Sequence, residues 1–173
     1  MTQAELLRYL AEVLDTLGVE YMIGGSQASM YYGEPRLTRD VYVIVDLDLE
    51  HLQAFLGRFS GEEFCVDEDT AQEAIRTSGQ FNVIHPGSGS KIDVYLNPDT
   101  PYDRIRLARR QKLPLTAGVE AYFARPEDVI PHLRDILGIL RISGPELDEA
   151  YIAEWVERLG LQTIWTQIRR QAE

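Results

Sequence analysis

Residues 23–46 read Ile23-Gly24-Gly25-Ser26-Gln27-Ala28-Ser29-Met30-Tyr31-Tyr32-Gly33-Glu34-Pro35-Arg36-Leu37-Thr38-Arg39-Asp40-Val41-Tyr42-Val43-Ile44-Val45-Asp46. A β-rich approach, Tyr21 to Ile23, runs into two glycines, which accept backbone angles closed to other residues, and Ser26 follows as the expected helix N-cap. Amides exposed by such a turn, beside a hydroxyl at a helix N-terminus, suit an anion and above all a phosphate. The helix is expected to end at Gly33, and Glu34-Pro35-Arg36 to carry the chain round to an extended segment starting near Asp40. From there Val41, Val43 and Val45 alternate with Asp40, Tyr42 and Ile44, so the valines share one face while Asp40 and Tyr42 share the other.

Outward from this stretch the amphipathic patterns are regular. Residues 2–17 carry Leu6, Leu7, Leu10, Val13, Leu14 and Leu17 at helical spacing, with Gly18 placed as a C-terminal cap. Residues 49–59 form a second such helix, turning Leu52, Phe55, Leu56 and Phe59 inward. Residues 61–69 are acidic and loop-like, with a short strand at 64–66 and a helix over 70–76. Residues 80–85 and 91–96 read as strands of a hairpin across Pro86-Gly87-Ser88-Gly89-Ser90. The second strand presents Lys91, Asp93 and Tyr95 on one face. An acid there fits either an open sheet face or a site, and the upstream glycine turn and Asp40 favour the site.

A helix over 101–112 would set Arg106, Arg109 and Arg110 on one stripe. The default for that stripe is a solvated face paired with neighbouring acids, and its functional alternative is contact with a phosphate chain. Residues 113–116 and 119–123 suggest a second hairpin at a sheet edge. From Arg125 the composition turns helical: Pro126, Glu127 and Asp128 suit a helix start, Pro131 breaks it, Leu133, Ile136, Leu137 and Leu140 supply an apolar face, Asp148 caps a further helix, and a last one runs over 161–170.

Twenty-eight acidic residues against seventeen Lys and Arg leave a formal charge of −11, which disfavours non-specific association with nucleic acid or anionic membrane. The single cysteine, Cys65, excludes an internal disulfide framework and is expected as a small buried apolar residue. No run is apolar enough to span a bilayer and no signal-peptide pattern opens the chain, so a cytoplasmic protein is expected. His51, His85 and His132 lack metal-ligand spacing, and there is no Gly-x-Ser-x-Gly elbow, which leaves His-based or nucleophilic hydrolysis as a third and weaker reading.

The pattern Gly24-Gly25-Ser26, thirteen residues (27–39), Asp40-Val41-Tyr42, and then Ile92-Asp93-Val94 resembles the nucleotidyltransferase superfamily with its polymerase-beta-like fold. Within it, the chain is similar to the small bacterial branch that includes abortive-infection-type toxins. Phe81-Asn82-Val83-Ile84-His85, Pro126-Glu127-Asp128-Val129-Ile130 and Arg134-Asp135-Ile136-Leu137-Gly138-Ile139-Leu140 extend the resemblance through most of the chain. Only Pro131, His132 and Leu133 stand where the relatives carry a longer, lysine-bearing helical segment. The resemblance implies an α/β fold, a nucleotidyltransferase-like mixed sheet with flanking helices, over residues 1–124, and a helical C-terminal segment packed on it over 125–173.

It further implies transfer of a nucleoside monophosphate from a nucleoside triphosphate to a hydroxyl, with RNA or protein as possible acceptors. Triphosphate contacts would come from Gly24, Gly25, Ser26, Arg39 and Lys91, and Mg2+ would sit on Asp40 and Asp93. The second family aspartate is replaced by Tyr42, a phenol that is neutral at pH 7 and fills space a metal and its waters would need. Magnesium binding is therefore expected to be weakened. Two functions follow: a transferase disabled or altered at Tyr42, or a non-catalytic nucleotide- or protein-binding member of the fold, regulatory or toxin-antitoxin-like.

Overall fold

The structure, a computed structural model, describes residues 1–33, 40–116, 118–129 and 133–172. The turn at 34–36, Arg39, Ala117, Pro131 and His132 lie outside the described residues. Helix α1 (Gln3–Leu17) opens on a capping box, in which Thr2 Oγ1 accepts from Glu5 N while Glu5 accepts from Thr2 N, and closes on Gly18 at φ 69°. Strand β1 (Tyr21–Ile23) leads into α2 (Gly25–Tyr32), then β2 (Asp40–Val45), α3 (Leu49–Arg58), β3 (Cys65–Val66), α4 (Glu68–Thr77), β4 (Gln80–His85), β5 (Ser90–Leu96), α5 (Pro101–Ala108), β6 (Gln111–Thr116) and β7 (Val119–Phe123). Asp48 and Asp67 cap α3 and α4 through their side chains. After a single 3-10 turn at Pro126–Asp128 come α6 (Leu133–Ser143), α7 (Glu149–Arg158) and α8 (Gln162–Ala172).

The seven strands form one mixed sheet in the order β3-β4-β5-β2-β1-β7-β6. β2 and β5 run parallel at its centre, with Asp40 beside Lys91 and Tyr42 beside Asp93, and β4 continues antiparallel with Asn82 beside Asp93. Residues side by side in register share a face. On one face Val41, Val43, Val45, Ile92, Val94, Phe81 and Val83 are buried beneath α1, α3 and α4, and they hold the main core. On the other face lie Asp40, Tyr42 and Ile44 of β2 beside Lys91, Asp93 and Tyr95 of β5. Helix α2 packs on β2 and on α6.

Four expectations are corrected. Ser26 is not the cap: Gly24 is extended and occupies that position, because its N–H donates to Tyr42 O at 3.0 Å and α2 begins at Gly25. Helix α5 stops at Ala108, since from Gln111 the chain pairs with β7 and Lys112 lies opposite Tyr122 in that ladder. Cys65 is exposed, because β3 is a two-residue edge strand whose Phe64 neighbour takes the buried side while Cys65 pairs with the exposed Ile84. The turn after Pro126 remains one 3-10 turn rather than opening a longer helix, as Val129 returns to an extended backbone.

Candidate functional site

The chain's turn at Gly24-Gly25 lies directly against Tyr42. A Cβ added at Gly24 would meet Tyr42 Cδ1 at 2.9 Å, and one at Gly25 would meet Tyr42 Cβ at 2.9 Å. Gly25 also adopts φ 55°, which a side chain rarely takes. The glycines therefore serve two ends at once, turning the chain into α2 and leaving room for an aromatic ring. That ring stacks on Tyr95, centroid to centroid 4.3 Å at 29°. Burial pushes the Tyr42 phenol above its ordinary range, and Tyr95, Asp103 and Asp93 add to this while Arg106 opposes it.

Asp40, Tyr42 and Asp93 come together on one sheet face beside the glycine turn. Asp40 is exposed at the start of β2. Asp93, with 18% of its side chain exposed, is held by Lys91 Nζ at 2.7 Å. That hydrogen bond keeps the ammonium more basic than an ordinary lysine, with Asp40 contributing in the same sense. Ser26 and Ser29 are buried in the first turns of α2, where Ser29 Oγ donates to Ser26 O. Arg39, the remaining expected nucleotide contact, lies outside the described residues.

A divalent metal does not fit this set. The oxygen donors expected for it are Asp40 and an Asp93 that an ammonium already engages, and Tyr42, beside Asp93 in the ladder, supplies a phenol stacked on Tyr95 in place of a third carboxylate. Among the described residues no group of three or more His, Cys, Asp or Glu is placed to hold a metal ion. Hard cations of this class need several oxygen ligands converging at short range.

Sequence reasoning missed a second layer above Tyr42. A small cavity of about 60 Å3 is bordered by Gly24, Gly25, Tyr42, Tyr102, Arg106 and Asp128. The stripe arginines are tied to acids: Arg106 Nη2 to Asp103 Oδ1 at 2.6 Å, Arg110 Nη2 to Glu20 Oε1 at 2.8 Å, and Arg109 to Glu127, Asp128 and Asp148 at 3.5, 3.7 and 3.7 Å, with its guanidinium 3.6 Å above the Tyr151 ring. They are largely buried rather than solvated. Asp128 has no exposed side-chain surface and accepts from Tyr151 Oη at 2.6 Å. Burial raises its carboxyl above the usual carboxylate range, against the lowering effects of Tyr151 and Arg109. The available signal was the run Pro126-Glu127-Asp128, whose acids were read only as helix-start charges.

Comparison with solved structures defines the class of fold. The structure resembles the lincosamide antibiotic adenylyltransferase LnuA in its lincomycin-bound crystal form, with a TM-score of 0.53 at 11% sequence identity, covering 80% of this chain and 94% of that one. The chain thus has a nucleotidyltransferase-like mixed α/β fold. An antigenic nucleotidyltransferase-like protein from Paracoccidioides brasiliensis is also similar, at a TM-score of 0.48 and 21% identity over 78% of this chain and 64% of that one. No family model matches the chain, and comparison with curated proteins returns no match. No described helix is long and apolar enough to cross a membrane.

Proposed function

We propose that this chain is a non-catalytic member of the nucleotidyltransferase fold that binds a nucleoside triphosphate at the glycine turn without transferring its nucleotide. The observation that carries this reading is the Tyr42 ring, which lies against both glycines and on Tyr95 while Lys91 neutralises Asp93. Phosphoryl and nucleotidyl transfer depend on positioning and on neutralising charge at the phosphoryl oxygens. Where a metal is held weakly, cationic groups must meet the phosphates instead. Lys91 lies on the face that the glycine turn borders, and Arg106 borders the small cavity above Tyr42. A regulatory or toxin-antitoxin-like role in the cytoplasm, with a protein or RNA partner in place of an acceptor, belongs to the same proposal. So does the division into a nucleotidyltransferase-like unit (1–124) and a helical segment packed on it (125–173).

Calorimetry with ATP, GTP, CTP and UTP, in Mg2+ or in EDTA, tests the reading together with label transfer from α-labelled triphosphates. The expected result is binding of at least one triphosphate that EDTA does not weaken, and no transfer to RNA, protein or the chain itself. Tyr42→Asp removes a stacked, mostly buried ring, so it should cost about 3 kcal/mol of stability while creating magnesium binding absent from the unaltered protein. Magnesium-dependent transfer by the unaltered protein would restore the transferase reading. Absence of binding for all four triphosphates would remove the nucleotide from the proposal.

A further inference from the structure

The charges gathered around the crevice at Tyr42 do not balance. Arg106 and Arg109 of α5 face three carboxyls, Asp103, Glu127 and Asp128, whose side chains are 8%, 4% and 0% exposed. Asp103 holds Arg106 at 2.6 Å, which leaves Arg109 as the ion-pair partner of the other two, and the half-exposed Asp148 draws on Arg109 as well at 3.7 Å. Arg109 meets neither buried acid closely. Its Nη2 stands 3.5 Å from Glu127 Oε2 and its Nε 3.7 Å from Asp128 Oδ2, all four atoms lying outside hydrogen-bond geometry. One negative charge of this buried group is therefore uncompensated.

Of the three carboxyls, Asp128 is the one beside the crevice, which it borders together with Gly24, Gly25, Tyr42 and Arg106. Among the described residues, the groups facing its carboxyl are Tyr102, Arg106 and Arg109 of α5, Tyr151 of α7 and the adjoining Glu127, and Tyr32 of α2 feels its charge. Tyr151 Oη donates to Oδ1 at 2.6 Å and a guanidinium faces Oδ2, an arrangement that fits the carboxylate. Burial and the charge of Glu127 favour the neutral acid instead. With the two forms opposed in this way, a change in the local field decides between them.

We propose that a nucleoside triphosphate binding at the glycine turn takes up a proton from solvent, and that Asp128 receives it. The inference rests on the glycine-turn reading and adds a regulation to it. Phosphates that engage Arg106 spend the positive field this guanidinium exerts on Asp128, and they bring negative charge to the crevice that Asp128 borders. Both effects disfavour the carboxylate. The proton adds to a carboxylate oxygen, Asp128 becomes neutral, and the excess charge of the cluster is removed without any contact between the ligand and Asp128. Ligand and proton then favour one another, so affinity rises as pH falls.

ATP, GTP, CTP and UTP are titrated into the full chain in EDTA by calorimetry, in buffers of different ionisation enthalpy and at pH 6, 7 and 8. The ligand's own ionisation cancels on comparison with Asp128→Asn, which keeps an acceptor for Tyr151. The unaltered chain should take up about half a proton to one proton more per ligand than this variant, and should gain about tenfold more in affinity than the variant between pH 8 and pH 6. Asp103→Asn should still take up a proton, because Arg106 is spent on the phosphates either way. Infrared difference spectra of the unaltered chain need no variant: a protonated-carboxyl band should appear when the triphosphate binds. The proposal is overturned if no such band appears, or if a folded Asp128→Asn takes up as many protons as the unaltered chain. It is likewise overturned if a folded Asp103→Asn loses the uptake, in which case Asp103, left by Arg106, receives the proton. Binding without proton uptake overturns this inference and leaves the glycine-turn reading standing, whereas absence of binding for all four triphosphates removes both.

Discussion

Gly25 shows how closely a single position binds backbone to side chain in this protein. Its φ of 55° strains any residue with a Cβ, and that Cβ would also meet Tyr42 Cβ at 2.9 Å. Gly25→Ala should therefore destabilise by about 2 kcal/mol, more than the ordinary cost of alanine at a permissive site. The same change on a Tyr42→Gly background should cost less, because the Cβ it meets is gone and only the dihedral strain remains; equal costs in a double-mutant cycle would mean that Tyr42 does not press on the turn. Asp128 offers a complementary test. Its carboxyl is raised by burial, so the folded state holds its proton more firmly than the unfolded chain does, and its stability contribution is present at low pH and declines as pH rises through the folded value. Asp128→Asn keeps an acceptor for Tyr151 and removes this titration. Measured by urea unfolding, the variant should gain on the unaltered protein as pH rises from 4 to 7, and a constant difference across that range would contradict the assigned shift.

At the scale of elements, what could be read in the sequence was local. Asp148 sits at a helix start whose cap was read from residue type, and the alternation of Val41, Val43 and Val45 set the buried face of β2 without reference to any other strand. The shared face of Asp40 and Tyr42 followed from the same two-residue period. That β2 and β5 come together was implied only through the family resemblance, which set Asp40 and Asp93 in one site, and their parallel register was not legible, because register between strands so far apart leaves no local trace. The Arg109 cluster was hidden for a similar reason: Glu127, Asp128, Asp148 and Tyr151 reach it from separate elements. Helix α5 links the two levels. Thr100 caps it by accepting from Asp103 N, and its hydroxyl donates to Asp103 Oδ2 at 2.5 Å, fixing the carboxylate that holds Arg106 at the edge of the Tyr42 cavity. Thr100→Ala should cost about 1–2 kcal/mol, the loss of a cap and of one hydrogen bond to a buried carboxylate. If thermal unfolding shows no change, the cap does not support α5.

Across the whole molecule, phenols buried in different layers respond to alkali in the same direction. Tyr21 packs in the core, Tyr32 closes α2, Tyr42 lies on the glycine turn, and Tyr102 and Tyr151 converge on Asp128. Burial is the first cause of a raised value in each case, carrying Tyr32 to about 12 and shifting the other four upward as well. An unfolded tyrosine releases its proton near pH 10, so above that pH the folded chain holds more protons than the unfolded one and stability must fall. Lys91 acts in the same sense, because its pairing with Asp93 keeps it protonated in the folded state beyond its ordinary value. A chain already at −11 gains further negative charge on unfolding in alkali, and those charges repel less in the expanded state. The urea midpoint should therefore stay nearly level from pH 8 to 9.5 and then drop steeply by pH 11, with phenolate absorbance rising together with the loss of far-ultraviolet circular dichroism. Phenolate absorbance that rises fully while the helices remain intact would show that these rings are open to solvent and would remove the basis for the predicted drop.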